Sequence, residues 1–336
     1  MMTSTDAPSE PTPIVDGLNC AVFNREQIER TTAGGVNAIN LTALRPSHDL
    51  AASMSDLSKV LSVVAANEDV VTIVTTAGEI RSAARDGKLG LIIGTQNSTF
   101  LDHDLGLLRA MARIGVRILQ PTYMEPNALG AGVLADPEAG LTERGREWVA
   151  LMNELRLQID LSHVGYVTCR DVIEASARPV IFSHANAKAL CDSPRNIPDD
   201  LMQAAADSGG TVGVTLWPPI LRHERRPTLD DFCDHVDYVV NLTGIDHVAF
   251  GSDLSEAAKT EAEWKVTFGP QGMYPEVSGL TGDWFTFGQR FTQGYESMAE
   301  TGNVVDALRR RGYGADAVDK IMGGNLMRVF AEVWGR

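Results

Sequence analysis

Cysteine is scarce in this 336-residue chain: Cys20, Cys169, Cys191 and Cys233 stand far apart with no CxxC pair. That leaves no disulfide framework and no cysteine zinc knuckle, and it suits a reducing compartment. Basic residues are in deficit, 29 Lys and Arg against 44 Asp and Glu, for a formal charge of −15. Such a surface repels phosphate backbones and anionic lipid, so neither nucleic acid nor membrane is an expected partner. No apolar run approaches the roughly 20 residues that cross a bilayer. Residues 1–13 are rich in Ser, Thr, Pro and Asp without a basic start or an apolar stretch. They read as a disordered leader to one domain spanning 14–336 of a cytoplasmic protein. Phosphate-loop, HExxH and nucleophile-elbow patterns are absent, and Gly130-Ala131-Gly132 lacks the third glycine and the preceding strand of a dinucleotide fingerprint.

What the chain has is apolar substance, 44% of its residues, in a regular order. Nearly continuous Val, Ile and Leu runs fall at 14–19, 36–43, 89–97, 116–123, 158–164, 179–184, 210–218 and 247–254. Continuous apolarity suits strands covered on both faces. Amphipathic stretches separate them at 25–34, 50–67, 102–114, 142–155, 168–176, 199–208 and 229–242. Eight strand–helix repeats predict an α/β fold, a parallel (β/α)8 TIM-type barrel, with an open doubly wound sheet as the alternative. Residues 255–287 read as a Gly-, Pro- and aromatic-rich loop near the barrel mouth, and 303–311 and 315–334 as closing helices.

Barrels of this kind carry function at the C-terminal ends of their strands. There the sequence places His163 and His184, on adjacent strands about 4.8 Å apart, and Asp253 in the same layer. Two imidazoles so placed can clamp one divalent ion. The plainer alternative is two separate core histidines, each bonded to a nearby carbonyl. Repetition at one depth, with an acid beside it, favours a site. His48, His103, His223, His235 and His247 fall in loops, on helix faces or at a strand start and read as solvated or structural.

Several motifs in order carry a resemblance: Gly140-Leu141-Thr142, Asp160-Leu161-Ser162-His163-Val164, Ser183-His184, Pro194-Arg195-Asn196-Ile197-Pro198-Asp199-Asp200, Gly251-Ser252-Asp253 and Gly323-Gly324-Asn325-Leu326. Together they resemble the membrane (renal) dipeptidase family of the amidohydrolase superfamily, over most of the chain. The resemblance implies a (β/α)8 barrel, a two-zinc dipeptide-cleaving site and a homodimer. His163 and His184 match its paired histidines. Elsewhere the chain departs from it. The strand-one Asp-Gly-His-x-Asp is Asp16-Gly17-Leu18-Asn19-Cys20 here, the bridging Glu falls at Gln96, and the strand-four His at Tyr123.

Leu18 has no donor atom, so the first metal position is lost and a mononuclear centre is expected. Cys20 is either a soft thiolate donor or a packed small side chain. Gln96 offers a neutral carbonyl oxygen beside the two histidines. Replacing a charge by a neutral donor about 4 Å away costs ~4 kcal/mol at an effective dielectric near 20, doubled for a dication, so weaker binding follows. The expected roles are then His163, His184 and Gln96 on one divalent ion, most simply Zn; Asp253 and Tyr123 in catalysis; and Arg195 and Trp217 on a small carboxylate-bearing amide substrate. Two other outcomes stay open: a non-peptidase reaction on a small nitrogen-containing metabolite, and a metal-free, non-catalytic relative.

Overall fold

The computed structural model describes residues 11–101, 104–269 and 271–335. The expected leader, up to residue 10, and the expected start of a helix at 102 lie outside them. Among the described residues nine parallel strands run in chain order: β1 Val15–Asn19, β2 Ala38–Leu44, β3 Val71–Ile73, β4 Leu89–Thr95, β5 Val116–Leu119, β6 Gln158–Ile159, β7 Ile181–Ala185, β8 Thr211–Val214 and β9 Val248–Phe250. One sheet runs β1-β2-β4-β5-β6 and another β7-β8-β9. Parallel bridges Asp160↔Ile181 and Asn19↔Leu254 join them at both edges, closing an eight-stranded ring with no free edge. Every one of the eight expected strands is in that ring. β3 is additional, pairing outside it with the start of β4 through Val71↔Leu89.

The strands pack with period 2, so each contributes a ladder of inward residues. At the lower end these are Val15, Ala38, Ile92, Ile118, Ile181 and Ala249, which join one apolar cluster with Leu326, Met327, Phe330 and Val333 of the C-terminal helix Asn325–Val333. That helix plugs the N-terminal mouth, which leaves the opposite end for chemistry. The next layer inward is small or polar. A methyl group on Gly17, Gly213 or Gly251 would overlap the Ser183 carbonyl oxygen, and one on Gly94 the Asn40 amide. The barrel centre therefore closes on backbone, and these glycines permit close approach rather than special torsions.

Helices Arg25–Ala33, Leu50–Ala66, Glu143–Glu154, Tyr166–Ala175, Asp199–Asp207 and Leu229–Thr243 cover the outside. Four of their starts are fixed by Asn24, Asp49 and Thr142, whose side chains accept from backbone N–H groups of the first turn, and by the Thr228–Asp231 capping box. Among the described residues no helix is long and apolar enough to cross a membrane. Three expectations change. A helix at Ala77–Arg85 was not foreseen. The helix from 315 is broken at Gly323, where the backbone is extended and packs against Pro13. Residues 255–287 do reach the mouth, but a Thr260–Glu263 capping box starts a helix there, Glu261–Phe268.

Candidate active site

Two buried aspartates staple the strands that carry the site. Asp160 accepts from Ser162 and Ser183 backbone N–H groups, at 3.0 and 2.9 Å, and from Ser183 Oγ and Gln120 Nε2, both at 2.6 Å. Asp16 does the same across the other seam, accepting from Ser252 N at 2.7 Å, Ser252 Oγ at 2.6 Å and Asn19 Nδ2 at 3.0 Å. Burial holds the Asp16 carboxyl at about 6 despite those donors.

The Ser183 hydroxyl donates to Asp160, so it accepts from His184 Nδ1, 2.7 Å away. The proton of neutral His184 is thereby held on Nδ1 and its Nε2 is left as a hydrogen-bond acceptor or ligand atom. That Nε2 lies 2.9 Å from His163 Nε2. His163 is not in a strand as expected: β6 is two residues long, and His163 occupies a turn after it with φ of 69°. The segment 130–134 braces the turn, Val133 N–H donating to the His163 carbonyl at 2.9 Å. Asp253 also takes a left-handed φ, 50°. Such torsions are costly for non-glycine residues and persist where surrounding contacts impose them, commonly at functional sites.

Around the imidazoles, Tyr123 stacks on His163 with ring centroids 4.1 Å apart. Gln96 Nε2 donates to Thr42 Oγ1 at 2.8 Å and Cys20 Sγ at 3.3 Å, which turns its carbonyl oxygen away; that oxygen is buried without a partner. The Cys20 thiol donates to Asp253 Oδ1 at 3.6 Å, and burial and the Asp253 charge push its pKa far up, so it is a protonated hydrogen-bonding residue and not a thiolate. Desolvation raises Asp253 to about 7, against the pull of Arg195. Desolvation, then the Arg195 charge, holds both imidazoles well below their ordinary range and hence neutral, the ligating form.

Cys20, Gln96, Tyr123, His163, Trp217 and Asp253 line a cavity of about 600 Å³, with His184 buried beneath His163 and not in the lining; the volume is within the span of small-molecule sites. Arg195 stands behind that wall. It is 2% exposed, donates to the His184 carbonyl at 3.3 Å, and its Nε has no partner. Tyr166 Oη fixes its loop by donating to the carbonyls of Pro194 and Asn196. Among the described residues no carboxylate reaches ion-pair distance of Arg195, an unusual state for a buried guanidinium.

The staples Asp160, Ser183, Asp16 and Ser252, and Thr42, are the participants that sequence reasoning missed. An acid inside an otherwise apolar strand, two or three residues before Ser-His or His, is the signal that marks Asp160.

The family model for membrane dipeptidase, peptidase family M19, matches residues 3–266. The chain belongs to the membrane dipeptidase family. Dipeptidase 3 of Rattus norvegicus is 31% identical over 267 residues, 78% of this chain and 48% of that protein. Dipeptidase tcpJ of Claviceps purpurea (strain 20.1) is 30% identical over 260 residues, 76% of this chain and 54% of that protein. The chain thus spans about half the length of these two relatives. The crystal structure of an amidohydrolase from Pseudomonas aeruginosa matches with a TM-score of 0.88 at 31% identity, covering 97% of each chain.

Membership of the membrane dipeptidase family implies a divalent metal. The donor set fits one ion. Two zinc–nitrogen bonds of 2.0–2.1 Å at a tetrahedral angle hold their nitrogens about 3.3 Å apart, a few tenths of an ångström beyond the spacing of the two Nε2 atoms, and the unpartnered Gln96 oxygen belongs to a residue of the same cavity wall. It does not fit two. Leu18 has nothing to donate, and among the described residues no three His, Cys, Asp or Glu side chains converge as ligands.

Proposed function

We propose that the chain is a metal-dependent hydrolase of a small amide or dipeptide-like substrate carrying a carboxylate, with one ion at its centre, most simply zinc. The supporting observation is the pair of neutral imidazoles with facing Nε2 atoms, one of them oriented by the Asp160–Ser183 relay. His163, His184 and the Gln96 carbonyl would hold the ion, whose Lewis acidity lowers the pKa of a water towards ~7.

Asp253 then accepts a proton at its carboxylate and returns it to the leaving nitrogen. With a pKa of about 7, both of its forms are populated at neutral pH. Tyr123, whose hydroxyl desolvation keeps neutral, donates to the carbonyl oxygen as charge develops there. Arg195, a buried cation without a carboxylate partner behind the cavity wall, is the proposed partner of the substrate's carboxylate and meets it only where that wall opens to the ligand. Trp217 and Phe268, with ring centroids 5.6 Å apart, form an aromatic wall. The proposal includes a homodimer, for which sedimentation would give the mass of two chains.

The test is a panel of dipeptides and N-acyl amino acids assayed with zinc and with chelator. Turnover of a carboxylate-bearing amide, lost on chelation and restored by zinc, is expected. Turnover indifferent to chelator contradicts the reading. The hydrogen bonds joining Gln96, Thr42 and Cys20, at the place of the missing ligands, support a second reading, a non-peptidase reaction on a small nitrogen-containing metabolite. Metal-dependent consumption of such a compound, with dipeptides untouched, separates the two.

A further inference from the structure

We propose that the outer half of the cavity is a subsite for a second anionic group, so that the preferred substrate carries a distal carboxylate or phosphate besides the carboxylate that Arg195 receives. The inference rests on the hydrolase reading for the bond that is cut, but not for the charge that is selected.

From the floor the wall continues over aliphatic and aromatic carbon, Phe23, Val60 and Val63, to a rim bearing Arg45, Lys59 and Lys259. The charged groups lining the whole cavity are these three cations, Asp56 and Asp253. Asp56 is neutralised locally: Oδ2 meets His48 Nδ1 at 2.7 Å and Oδ1 accepts from Lys59 Nζ at 3.2 Å. Arg45 and Lys259 have no carboxylate within ion-pair distance among the described residues. Glu263, which feels both charges, is turned back on Thr260, accepting from its N and Oγ1 at 2.8 Å each, and does not line the cavity.

Two unpaired cations therefore stand at the mouth of a chain with 15 excess negative charges. An acidic protein that collects unpaired positive charge around one concavity draws anions to it. The apolar stretch between floor and rim spaces the two charged ends of a ligand, which excludes a compact monoanion as the best fit. Arg45 contributes a fork for two oxygens and Lys259 a point charge, a pair that suits either anion.

The experiment is calorimetric binding of glutarate, its monoamide glutaramate, and 3-phosphonopropionate to the wild type and to the Arg45→Glu/Lys259→Glu variant. Glutarate is expected to bind about tenfold tighter than glutaramate to the wild type, with the preference abolished or inverted in the variant; the ratio of phosphonate to glutarate affinity tells which anion the rim prefers. Arg45 is exposed and Lys259 half-buried, so the fold should tolerate both changes, and glutaramate binding reports that it has.

Equal affinities in the wild type, no measurable glutarate binding, or a preference unchanged in the variant overturns the proposal. A parallel comparison of kcat/KM for Gly-Glu and Gly-Gln keeps the two readings apart. If neither is cut while the glutarate preference holds, the hydrolase reading fails alone. If both are cut equally and the preference is absent, the distal subsite fails alone.

Discussion

Ser183 decides which nitrogen of His184 carries the proton, and with it whether Nε2 is free to ligate. Removing that hydroxyl in Ser183→Ala should leave the fold intact, since the side chain loses one oxygen, but lower zinc affinity by about 10- to 100-fold. A competition titration against a chromogenic chelator reads this, and an unchanged affinity would show that the relay does not orient the ring. Asp253→Asn keeps the shape and removes the base, so kcat should fall by about 10²- to 10⁴-fold with KM little altered. A larger change in KM than in kcat would assign Asp253 to binding instead. That His163, His184 and Asp253 lie at one end of the barrel was legible in the sequence, because strand ends in a parallel barrel point to one mouth. The hydrogen bonds joining Ser183 to Asp160 or Gln96 to Thr42 were not, because they run between strands whose mutual depth no single run of residues reveals. The burial of Arg195 was not legible in the sequence.

Strands and helices show the same division. The eight barrel strands could be read because each is an apolar run covered on both faces, whereas β3, three residues long, carries too little pattern to distinguish it from a turn. The helix Glu261–Phe268 was hidden by the glycines, prolines and aromatic residues around it. What sets the height of β7, and so of His184, is the backbone packing about Ser183. Gly213→Ala puts a methyl group against that carbonyl from β8, with no flexible side chain able to yield. A loss of about 1 to 3 kcal/mol or more is expected from such overpacking, read as a lower urea midpoint at unchanged m-value. Wild-type stability in this variant would mean that the strands have room to separate.

At the scale of the whole molecule, the closed ring and the plug of Asn325–Val333 bury histidine as well as apolar side chains, and stability depends on both. His235 accepts from Ala187 N–H at Nδ1 and donates from Nε2 to the Leu221 carbonyl, both at 3.1 Å. Desolvation lowers its pKa to about 4. The neutral ring therefore contributes stability that is complete above the unfolded pKa near 6.5 and is lost as pH falls towards 4, about 3 kcal/mol in all. Urea unfolding between pH 7 and 4 should show that slope, and His235→Asn should flatten it; identical slopes would remove His235 from the acid response.

Above all, one ion is the number that two imidazoles and an amide are expected to hold. Elemental analysis of protein purified without chelator and titrated with zinc measures it directly. One equivalent per chain, falling to none in His184→Ala together with activity, is the expected result. Two equivalents in the wild type, or activity that survives in His184→Ala, would contradict it.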